Sequence, residues 1–368
     1  MGISDGPGMT APNQQPQPVN VAVVGTGFGR LTHVPGFRAC EGVNVVALVG
    51  RTLDRTRAAA DELGIPLATT SLEEALALPD LHLVSIASPV QDHFPQAMAA
   101  LERQKHVLVE KPLALDSRQA RIMVEAAGQR GVLNAVNTQL RFNPTRQRFK
   151  SLVESGYLGR LYHISVHSYH DYRARPWSWK DTRHNGVLRA HASHMVDLVQ
   201  WLFGPVAQVL CGVLETMIPQ KPDAEGNWHP VECEDFASFV ARLGNGAIVT
   251  FLFSSMAVRP PLRADFEPAT MRIEAFGERG SLVLDLDDRL YGNQPGQAQW
   301  DEFTEPEPLL ALEGVRRRVW DLSFVRLARA LTGAVRGQDN LPPVPTFAQG
   351  LSVVEVLDAV FELGQRSR

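Results

Sequence analysis

The sequence predicts a doubly wound, parallel α/β domain followed by an α+β domain with a large, mostly antiparallel open sheet. Its 368 residues are more than one ordinary core requires. Apolar runs alternate with helix-length amphipathic stretches up to residue 139, and strand-like runs then follow one another without helices between them. We therefore assign residues 19–139 to the first domain and residues 140–368 to the second. Residues 1–18, rich in Gly, Pro and Gln, are predicted to be a disordered tail.

The elements of the first domain follow from hydrophobic periodicity. Runs rich in Val, Ile, Leu or Ala are typical of strands buried on both faces, and they occupy residues 19–25, 43–50, 81–88, 106–109 and 132–136. The amphipathic stretches between them predict helices, at residues 53–63, 71–78, 94–103 and 117–129. Gly64 and Gly131 stand where two of these helices are expected to end.

The second domain has a different pattern. It begins with a predicted helix, a strand, an aromatic and polar loop, and a second helix, at residues 145–155, 162–170, 171–185 and 187–203. Five further runs predict an antiparallel sheet, at residues 206–215, 235–243, 247–255, 271–276 and 281–286. Two amphipathic helices close the chain, at residues 314–335 and 347–363.

Composition argues against several classes of protein. The formal charge of −4, without a long run of one sign, argues against nucleic acid or an anionic membrane surface as a partner. No apolar run is long enough to span a bilayer, and the N-terminus lacks the basic and apolar regions of a secretory signal. The three scattered cysteines favour a reducing, cytoplasmic location over a disulfide framework.

A glycine-rich turn follows the first predicted strand. Gly25, Gly27 and Gly29, with Phe28 between them, allow a tight turn and a close backbone approach to a pyrophosphate. The dinucleotide-binding fingerprint expects its third glycine at position 30, where Arg30 stands, so Arg30 points outward or the helix tilts. The alternative is a glycine-rich turn without a ligand, which the position after the first strand of an alternating pattern disfavours.

The residues at the end of the second strand indicate which nicotinamide dinucleotide, NAD or NADP, a domain of this type prefers. A carboxylate at this point would hydrogen-bond the ribose 2′-hydroxyl of NAD, but the strand ends at Arg51 and Thr52. Arg51 can pair with a 2′-phosphate and Thr52 can donate a hydrogen bond to it. We therefore predict NADP(H) in preference to NAD(H). The alternative is that Arg51 is a solvated loop residue.

Further motifs follow in order along the chain. They are Ser88–Pro89 with His93, Glu110–Lys111–Pro112, Arg141–Phe142–Asn143–Pro144, and the run from His194 to Asp197 followed by Trp201–Leu202–Phe203–Gly204. In this order they resemble the glucose–fructose oxidoreductase, inositol dehydrogenase and rhizopine-catabolism (Gfo/Idh/MocA) family. The resemblance implies a Rossmann domain, a nicotinamide cofactor, and oxidation or reduction of a sugar, cyclitol or related polyol. It also implies a homodimer or homotetramer formed through the open sheet.

The same resemblance places Ser88, Pro89, His93 and Glu110 beside the cofactor and makes Lys111 a catalytic candidate. Lys111 follows the C-terminal end of a strand, where parallel sheets bind ligands. Its ammonium group can hydrogen-bond the reacting oxygen and, if burial lowers its pKa, can exchange the proton. Glu110 would then touch the ribose or orient Lys111. The alternative is that Lys111 is an exposed loop residue.

His194 is the second catalytic candidate, because histidine exchanges protons near neutral pH; otherwise it is a structural group of its helix. Asp197 lies one turn further on and either orients the helix or binds a substrate hydroxyl. Dehydrogenases of this family usually carry an Asp four residues before the His, where this chain has Ala190. Either His191 substitutes for that Asp, or Lys111 and His194 act alone.

The aromatic loop adds Tyr172 and Trp179 as substrate-binding candidates, with packing between domains or subunits as the alternative. Six of the eleven histidines lie between residues 163 and 194. No combination of them gives a compact ligand set, so we predict no metal. Ala190 keeps a second function open, a dinucleotide-binding sensor or regulatory protein without turnover. A third is an oxidoreductase that acts on a non-sugar, such as a cyclic diene-diol or a tetrapyrrole.

Overall fold

The computed structural model of the chain describes residues 18–257, 271–307, 314–316 and 318–366. Apart from residue 18, the predicted tail therefore lies outside the described residues. The strands in these ranges form two large sheets and one short hairpin. The predicted domain boundary after residue 139 falls between the last strand of the first sheet and the first strand of the second.

The first sheet is parallel, as the alternation of strands and helices predicts. Its strands are β1 (Val19–Val24), β2 (Val43–Val49), β3 (Leu67–Thr69), β4 (Leu83–Ile86), β5 (His106–Glu110) and β6 (Asn134–Asn137). They lie in the order β3-β2-β1-β4-β5-β6. The direction of winding reverses between β1 and β4, which is where an open α/β sheet leaves a crevice for ligands.

Helices cover both faces of this sheet. They are α1 (Val34–Arg38), α2 (Leu53–Leu63), α3 (Leu72–Leu76), α4 (Val90–Glu102) and α5 (Ser117–Arg130). Gly64 and Gly131 end α2 and α5 with left-handed backbone, φ 58° and 63°, as predicted. The prediction that α4 begins at residue 94 is wrong, because Pro89 is its N-cap and Pro95 lies inside it. The short elements β3 and α1 are absent from the predicted pattern.

A π-helical turn, Gly29–His33, follows the glycine-rich segment and leads into α1. Such a turn accommodates one more residue than an α-helical turn. Gly29 consequently takes the close packing position that the fingerprint assigns to residue 30. A Cβ atom on Gly29 would lie only 3.0 Å from Cγ1 of Val23. Arg30 points outward and pairs with Glu62, which is the first of its two predicted placements.

The second sheet is mixed but mostly antiparallel. Its strands, with the separate hairpin β9–β10, are β7 (Leu161–Tyr169), β8 (Val206–Glu215), β9 (Gln220–Pro222), β10 (Trp228–Pro230), β11 (Phe236–Leu243), β12 (Ile248–Ser254), β13 (Met271–Gly277), β14 (Ser281–Leu284), β15 (Leu290–Asn293) and β16 (Asp301–Glu302). The sheet order is β16-β15-β14-β13-β7-β12-β11-β8. Among the described strands of this second sheet, only β7 and β12 pair in parallel. The short strands β9, β10, β15 and β16 were not predicted.

One face of the second sheet is covered by helices. The helices α6 (Pro144–Glu154), α7 (Ser193–Phe203) and α9 (Phe347–Arg366) pack on its buried face. Along β7, β11, β12 and β13, buried residues alternate with half-buried or exposed ones. No helix of the described ranges covers the opposite face, which agrees with the open sheet that the sequence predicts. No helix in the described ranges is both long and apolar enough to span a bilayer.

Helix α8 (Val319–Val335) belongs by sequence to the second domain but packs in the core of the first. Its Phe324 ring stacks on His33, with ring centroids 4.3 Å apart. The prediction that this helix begins at residue 314 is wrong, because Gly314 has a φ of 72°, outside the helical region. Helix α8 therefore joins the C-terminal segment to the turn that follows β1.

Gly36 makes the contact between α1 and α8 close, since a Cβ atom there would lie 2.3 Å from Cδ1 of Phe324. We predict that Gly36→Ala lowers the free energy of unfolding by about 1–3 kcal/mol. In the control Gly128→Ala, in α5, the new Cβ meets nothing within 4 Å. Replacing this glycine should raise the free energy of unfolding by about 0.5–1 kcal/mol. Urea unfolding of both variants checks this, and equal effects would contradict the packing described.

Candidate active site

A cleft of about 1010 Å³ opens at the carboxyl ends of β1, β2, β4 and β5. The aromatic loop, the start of the α7 segment and the residues before α8 form its other walls. Most predicted site residues line it: Gly25, Gly27, Phe28, Arg51, Ser88, Pro89, His93, Glu110, Lys111, Tyr172, Trp179, His191 and His194. Gly29, Thr52 and Asp197 do not. The fold thus brings together residues that lie far apart in the sequence.

The glycine turn leaves bare backbone facing the cleft. Gly25 has a φ of 115°, and a Cβ atom on it would lie 2.4 Å from the carbonyl oxygen of Ala87. A Cβ atom on Gly27 would meet no atom within 4 Å. Gly25 is therefore required for the close approach of β1 and the turn after β4, whereas Gly27 keeps space open beside backbone N–H groups. This arrangement fits a dinucleotide pyrophosphate.

The end of β2 presents Arg51 at the mouth of the cleft. Its side chain is exposed and forms no hydrogen bond or ion pair with any residue that the structure describes. Thr52 is the N-cap residue of α2, and its carbonyl oxygen accepts hydrogen bonds from the backbone N–H and the hydroxyl of Thr56, at 3.0 and 2.8 Å. The Arg51 side chain is thus positioned to contact a ligand, whereas Thr52 caps the N-terminus of α2.

His93 connects the turns that follow β4 and β5. Its ring is buried, with Nε2 2.9 Å from the carbonyl oxygen of Ser88 and Nδ1 3.0 Å from that of Pro112. Burial lowers the pKa of His93, so the ring is neutral and donates one of these hydrogen bonds at a time. The motif residue therefore fixes the positions of Ser88 and of the peptide that follows Lys111.

Glu110 lies at the end of β5 in a buried polar network. Its carboxylate accepts hydrogen bonds from Asn137 Nδ2, from the backbone N–H of Lys111 at 3.2 Å, and from His33 Nε2 at 3.0 Å. Burial acts to raise the pKa of Glu110, but the His33 hydrogen bond and the charges of His33 and Lys111 outweigh it, so the pKa is lowered. His33 also contacts the hydroxyl of Ser85, at 2.8 Å. Glu110 is therefore ionised and held beside Lys111.

Lys111 lies at the centre of the cleft and joins the two domains. Its ammonium group donates a hydrogen bond to the backbone carbonyl oxygen of Ala190, at 2.8 Å. Burial lowers the pKa of Lys111, the Glu110 carboxylate partly opposes this, and the charge of Lys180 adds to it. The position where the family usually has Asp therefore contributes a carbonyl oxygen in place of a carboxylate.

The Ala190 carbonyl that accepts from Lys111 lies in an irregular part of the helix before His194. The segment Leu188–Ala192 is a π-helical turn, and only at Ser193 does α7 begin. The single helix predicted for residues 187–203 is therefore divided. π turns displace the regular hydrogen-bonding pattern and occur often at functional sites.

Three histidines lie beside Lys111 and are kept neutral. His194 is buried, and its Nδ1 has no hydrogen-bond partner in the described part of the chain. Burial, followed by the charge of Lys111, places the pKa of His194 well below its usual range. Burial, and then the neighbouring His170, does the same for His191. His170, which the sequence analysis did not single out, stacks on His191 with ring centroids 3.8 Å apart, and burial lowers its pKa to about 4.

Asp197 has a structural position. It is buried, and both carboxylate oxygens accept hydrogen bonds from Arg141, one of them from Nε at 2.7 Å. The hypothesis that Asp197 binds a substrate hydroxyl does not agree with this position; the alternative, that it orients the helix, does. Arg141 belongs to the segment joining the domains, so the pair fixes α7 against that segment.

Metal binding has no geometric basis in the described ranges. No three His, Cys, Asp or Glu side chains in them lie close enough together to hold an ion. His163 and His167, which share a strand face, contact Thr250 and Ser165 respectively.

Comparison with known proteins identifies the class. Residues 19–138 match the family model described as oxidoreductase family, NAD-binding Rossmann fold. Residues 146–283 match the model of the GFO/IDH/MocA C-terminal domain. The chain therefore belongs to the Gfo/Idh/MocA family of oxidoreductases, as its motifs indicate.

Relatives and solved structures share most of their length with this chain. An uncharacterised oxidoreductase of Synechocystis sp. is 34% identical over 79% of this chain and 80% of its own. A levoglucosan dehydrogenase of Pseudarthrobacter phenanthrenivorans is 27% identical over 74% of this chain and 75% of its own. An oxidoreductase domain protein from Kribbella flavida aligns with a TM-score of 0.83 at 28% identity, covering 96% and 98% of the two chains. Levoglucosan dehydrogenase in complex with NADH and levoglucosan has the same fold, with a TM-score of 0.82 at 23% identity over 96% and 98%.

The Arg141–Asp197 pair generates a stability prediction. Asp197→Ala leaves the Arg141 guanidinium buried without its partner and should lower the free energy of unfolding by about 3–5 kcal/mol. His194→Gln, one turn away, should lower it by only about 1 kcal/mol, since no described residue loses a hydrogen bond to Nδ1. Denaturant unfolding measures both. Wild-type stability of Asp197→Ala would instead favour a role in substrate binding.

Proposed function

We propose that the protein is an NAD(P)-dependent dehydrogenase or reductase that acts on a secondary alcohol or carbonyl of a sugar, cyclitol or related polyol. The observation that carries the proposal is the placement of the Lys111 ammonium group, 2.8 Å from the Ala190 carbonyl, in the same cleft as His194, whose Nδ1 has no hydrogen-bond partner among the described residues. The similarity to levoglucosan dehydrogenase supports the substrate class. The glycine turn at the other end of the cleft fits the cofactor.

Each residue has a defined chemical role in this proposal. A bound nicotinamide would supply or accept the hydride. The Lys111 ammonium group has three N–H donors, and only one is used by Ala190, so the others can hydrogen-bond the reacting oxygen. Because its pKa is lowered, Lys111 can also release and regain a proton at that oxygen. The neutral His194 accepts or donates a hydrogen bond at a neighbouring hydroxyl.

The absence of a carboxylate at position 190 is the main argument for the alternative, a dinucleotide-binding sensor without turnover. That carboxylate would help to position the lysine. The Ala190 carbonyl performs the same positioning in this chain, at 2.8 Å from Lys111 Nζ. Lys111 is thus supported on one side by this carbonyl and on the other by the ionised Glu110. We therefore favour the enzyme over the sensor.

Replacement of Lys111 tests the enzyme proposal. Lys111→Ala should lower kcat/KM on the polyol substrate by about 10²–10⁴-fold, because general acid–base catalysis contributes about that much. Cofactor binding, followed by fluorescence titration, should persist. Lys105→Ala, which removes a lysine that donates to the Leu81 carbonyl outside the cleft, is the matched control. Tight cofactor binding without turnover on any sugar, cyclitol, lactone or ketone would instead establish the sensor.

The pH dependence of the oxidation direction gives an independent check. The neutral amine is the proton acceptor, so the rate should rise with pH through the lowered pKa of Lys111, below its ordinary value of 10.5. In Lys111→Arg this rise should disappear, because a guanidinium group does not lose its proton in this range. An identical rise in wild type and Lys111→Arg would assign the titration to another group.

We propose that NADP(H) is preferred to NAD(H). Arg51 is exposed at the cleft mouth without a described partner, and no acidic side chain ends β2. Arg51→Ala should raise the Kd for NADPH by about tenfold and leave the Kd for NADH nearly unchanged, because only the 2′-phosphate is affected. Arg57→Ala, on an exposed position of α2 outside the cleft, is the control. Equal losses for both cofactors in Arg51→Ala would contradict the preference.

We also propose a homodimer or homotetramer formed through the uncovered face of the second sheet. The half-buried face of β7, β11, β12 and β13 carries apolar and polar residues that no helix of the described chain covers. Light scattering at micromolar concentration should give two or four times the chain mass. A monomer would contradict the proposal.

A further inference from the structure

Basic side chains gather at the end of the cleft that holds the histidines. Lysine occurs only five times in the chain, yet Lys111, Lys180 and Lys221 all line this cleft. Arg175 and Arg189 line the same region. The histidines beside them are neutral, so the charge of this end depends on these lysines and arginines and on the carboxylates around them.

The acidic groups at this end are already engaged. Asp181 accepts hydrogen bonds from both Arg175, at 3.0 Å, and Lys221, at 3.1 Å, so one carboxylate serves two cations. Burial raises the pKa of Glu234, and its carboxylate accepts from the backbone N–H of Leu188, at 3.1 Å. Both carboxylates are therefore bound by other groups of the protein, as are Glu110 beside Lys111 and Asp358 beside Arg189.

Asp235 is a further carboxylate of this region, and it is also hydrogen-bonded within the protein. Its two oxygens accept hydrogen bonds from the backbone N–H groups of Met217 and Ile218, each at 2.8 Å. It is also buried. Asp181, Glu234 and Asp235 are therefore all engaged by other groups, and none of them is hydrogen-bonded to the ammonium group of Lys180.

Lys180 is the cation that this arrangement leaves for a ligand. Its ammonium group lies 5.9 Å from the ring centroid of Trp179 and forms no hydrogen bond or ion pair with a residue of the described ranges. Lys180 lines the same cleft as Lys111 and His191, and its charge contributes to lowering the pKa of both. The charge of Lys180 lowers the pKa of Lys111, and an anion bound between the two ammonium groups would relieve this effect.

We propose that the substrate is an anionic polyol, whose carboxylate or phosphate group is bound by Lys180 while Lys111 contacts the reacting oxygen. The role of Lys111 in this inference rests on the proposed function. The binding of the anion by Lys180 does not, because it can be measured without turnover. Trp179, which is 53% exposed, offers an aromatic face next to Lys180 for the apolar side of a sugar ring. The dinucleotide does not explain this cation, because its phosphates fit the glycine turn after β1 and Lys180 lies on the loop before the π turn.

Binding is measured first, because it does not depend on turnover. Full-length protein saturated with reduced cofactor is titrated calorimetrically with glucose, glucuronate and glucose 6-phosphate, and with the matching galactose series. We expect an anionic member to bind about tenfold or more tightly than its neutral parent, as one charge-assisted hydrogen bond provides. Comparison of the uronates with the phosphates identifies the anionic group. Neutral sugars that bind as tightly as all the acids and phosphates would overturn the proposal.

Variants assign the effect to Lys180. Lys180→Ala should remove the preference for the anion, whereas Lys180→Arg, which keeps the charge, should retain most of it. Lys150→Ala is the control, because Lys150 pairs with Glu154 on α6 and does not line the cleft. Cofactor affinity should be unchanged in Lys180→Ala. The proposal would be overturned if Lys180→Ala and Lys150→Ala lost anion binding equally. It would also be overturned if Lys180→Ala alone lost affinity for the cofactor.

Turnover of the same ligands separates the two proposals. Anion-selective binding without any change in nicotinamide absorbance would retain the anion site and contradict the proposed enzyme. Turnover of neutral and anionic sugars with equal kcat/KM would retain the enzyme and contradict the anion site.

Discussion

The hydrogen bond from the Lys111 ammonium group to the Ala190 carbonyl is the interaction on which the site depends. Lys111 directly follows the fifth strand of the Rossmann sheet, and Ala190 lies in the π turn that precedes α7, so the bond crosses from one domain to the other. It gives the buried ammonium group a partner while leaving two donors for a ligand. It also places the lysine beside His194. Without it, a lysine with a lowered pKa would have no fixed position in the cleft.

Supporting interactions hold both sides of this bond. On the Rossmann side, Glu110 is fixed by His33 and Asn137, and His33 in turn stacks on Phe324 of α8. On the other side, the ion pair of Asp197 with Arg141 fixes the helix that follows the π turn. C-terminal helix α8 therefore contributes to the geometry of the site, although it supplies none of the proposed catalytic groups.

Much of the fold follows from the sequence because hydrophobic periodicity and glycines at the ends of helices are local signals. The alternation of strands and helices predicts the parallel sheet, and family motifs predict the positions of Lys111 and His194 at one cleft. The contributions of His33, His170 and Lys180 are not predictable in this way. His33 meets Glu110 across 77 residues of sequence, which only the folded chain brings together. The two π turns, which contain Gly29 and Ala190, are not predictable either, because the extra residue in such a turn has no distinct sequence pattern.

The most direct test of this account is the titration of Lys111 itself. The chain has only five lysines, so protein labelled with ¹³C at lysine Cε should give resolved signals whose chemical shifts report each ammonium pKa. The signal that is absent from Lys111→Arg should titrate below the ordinary lysine value of 10.5. Titration at or above that value would show that Lys111 is not the buried, proton-exchanging group on which the site depends.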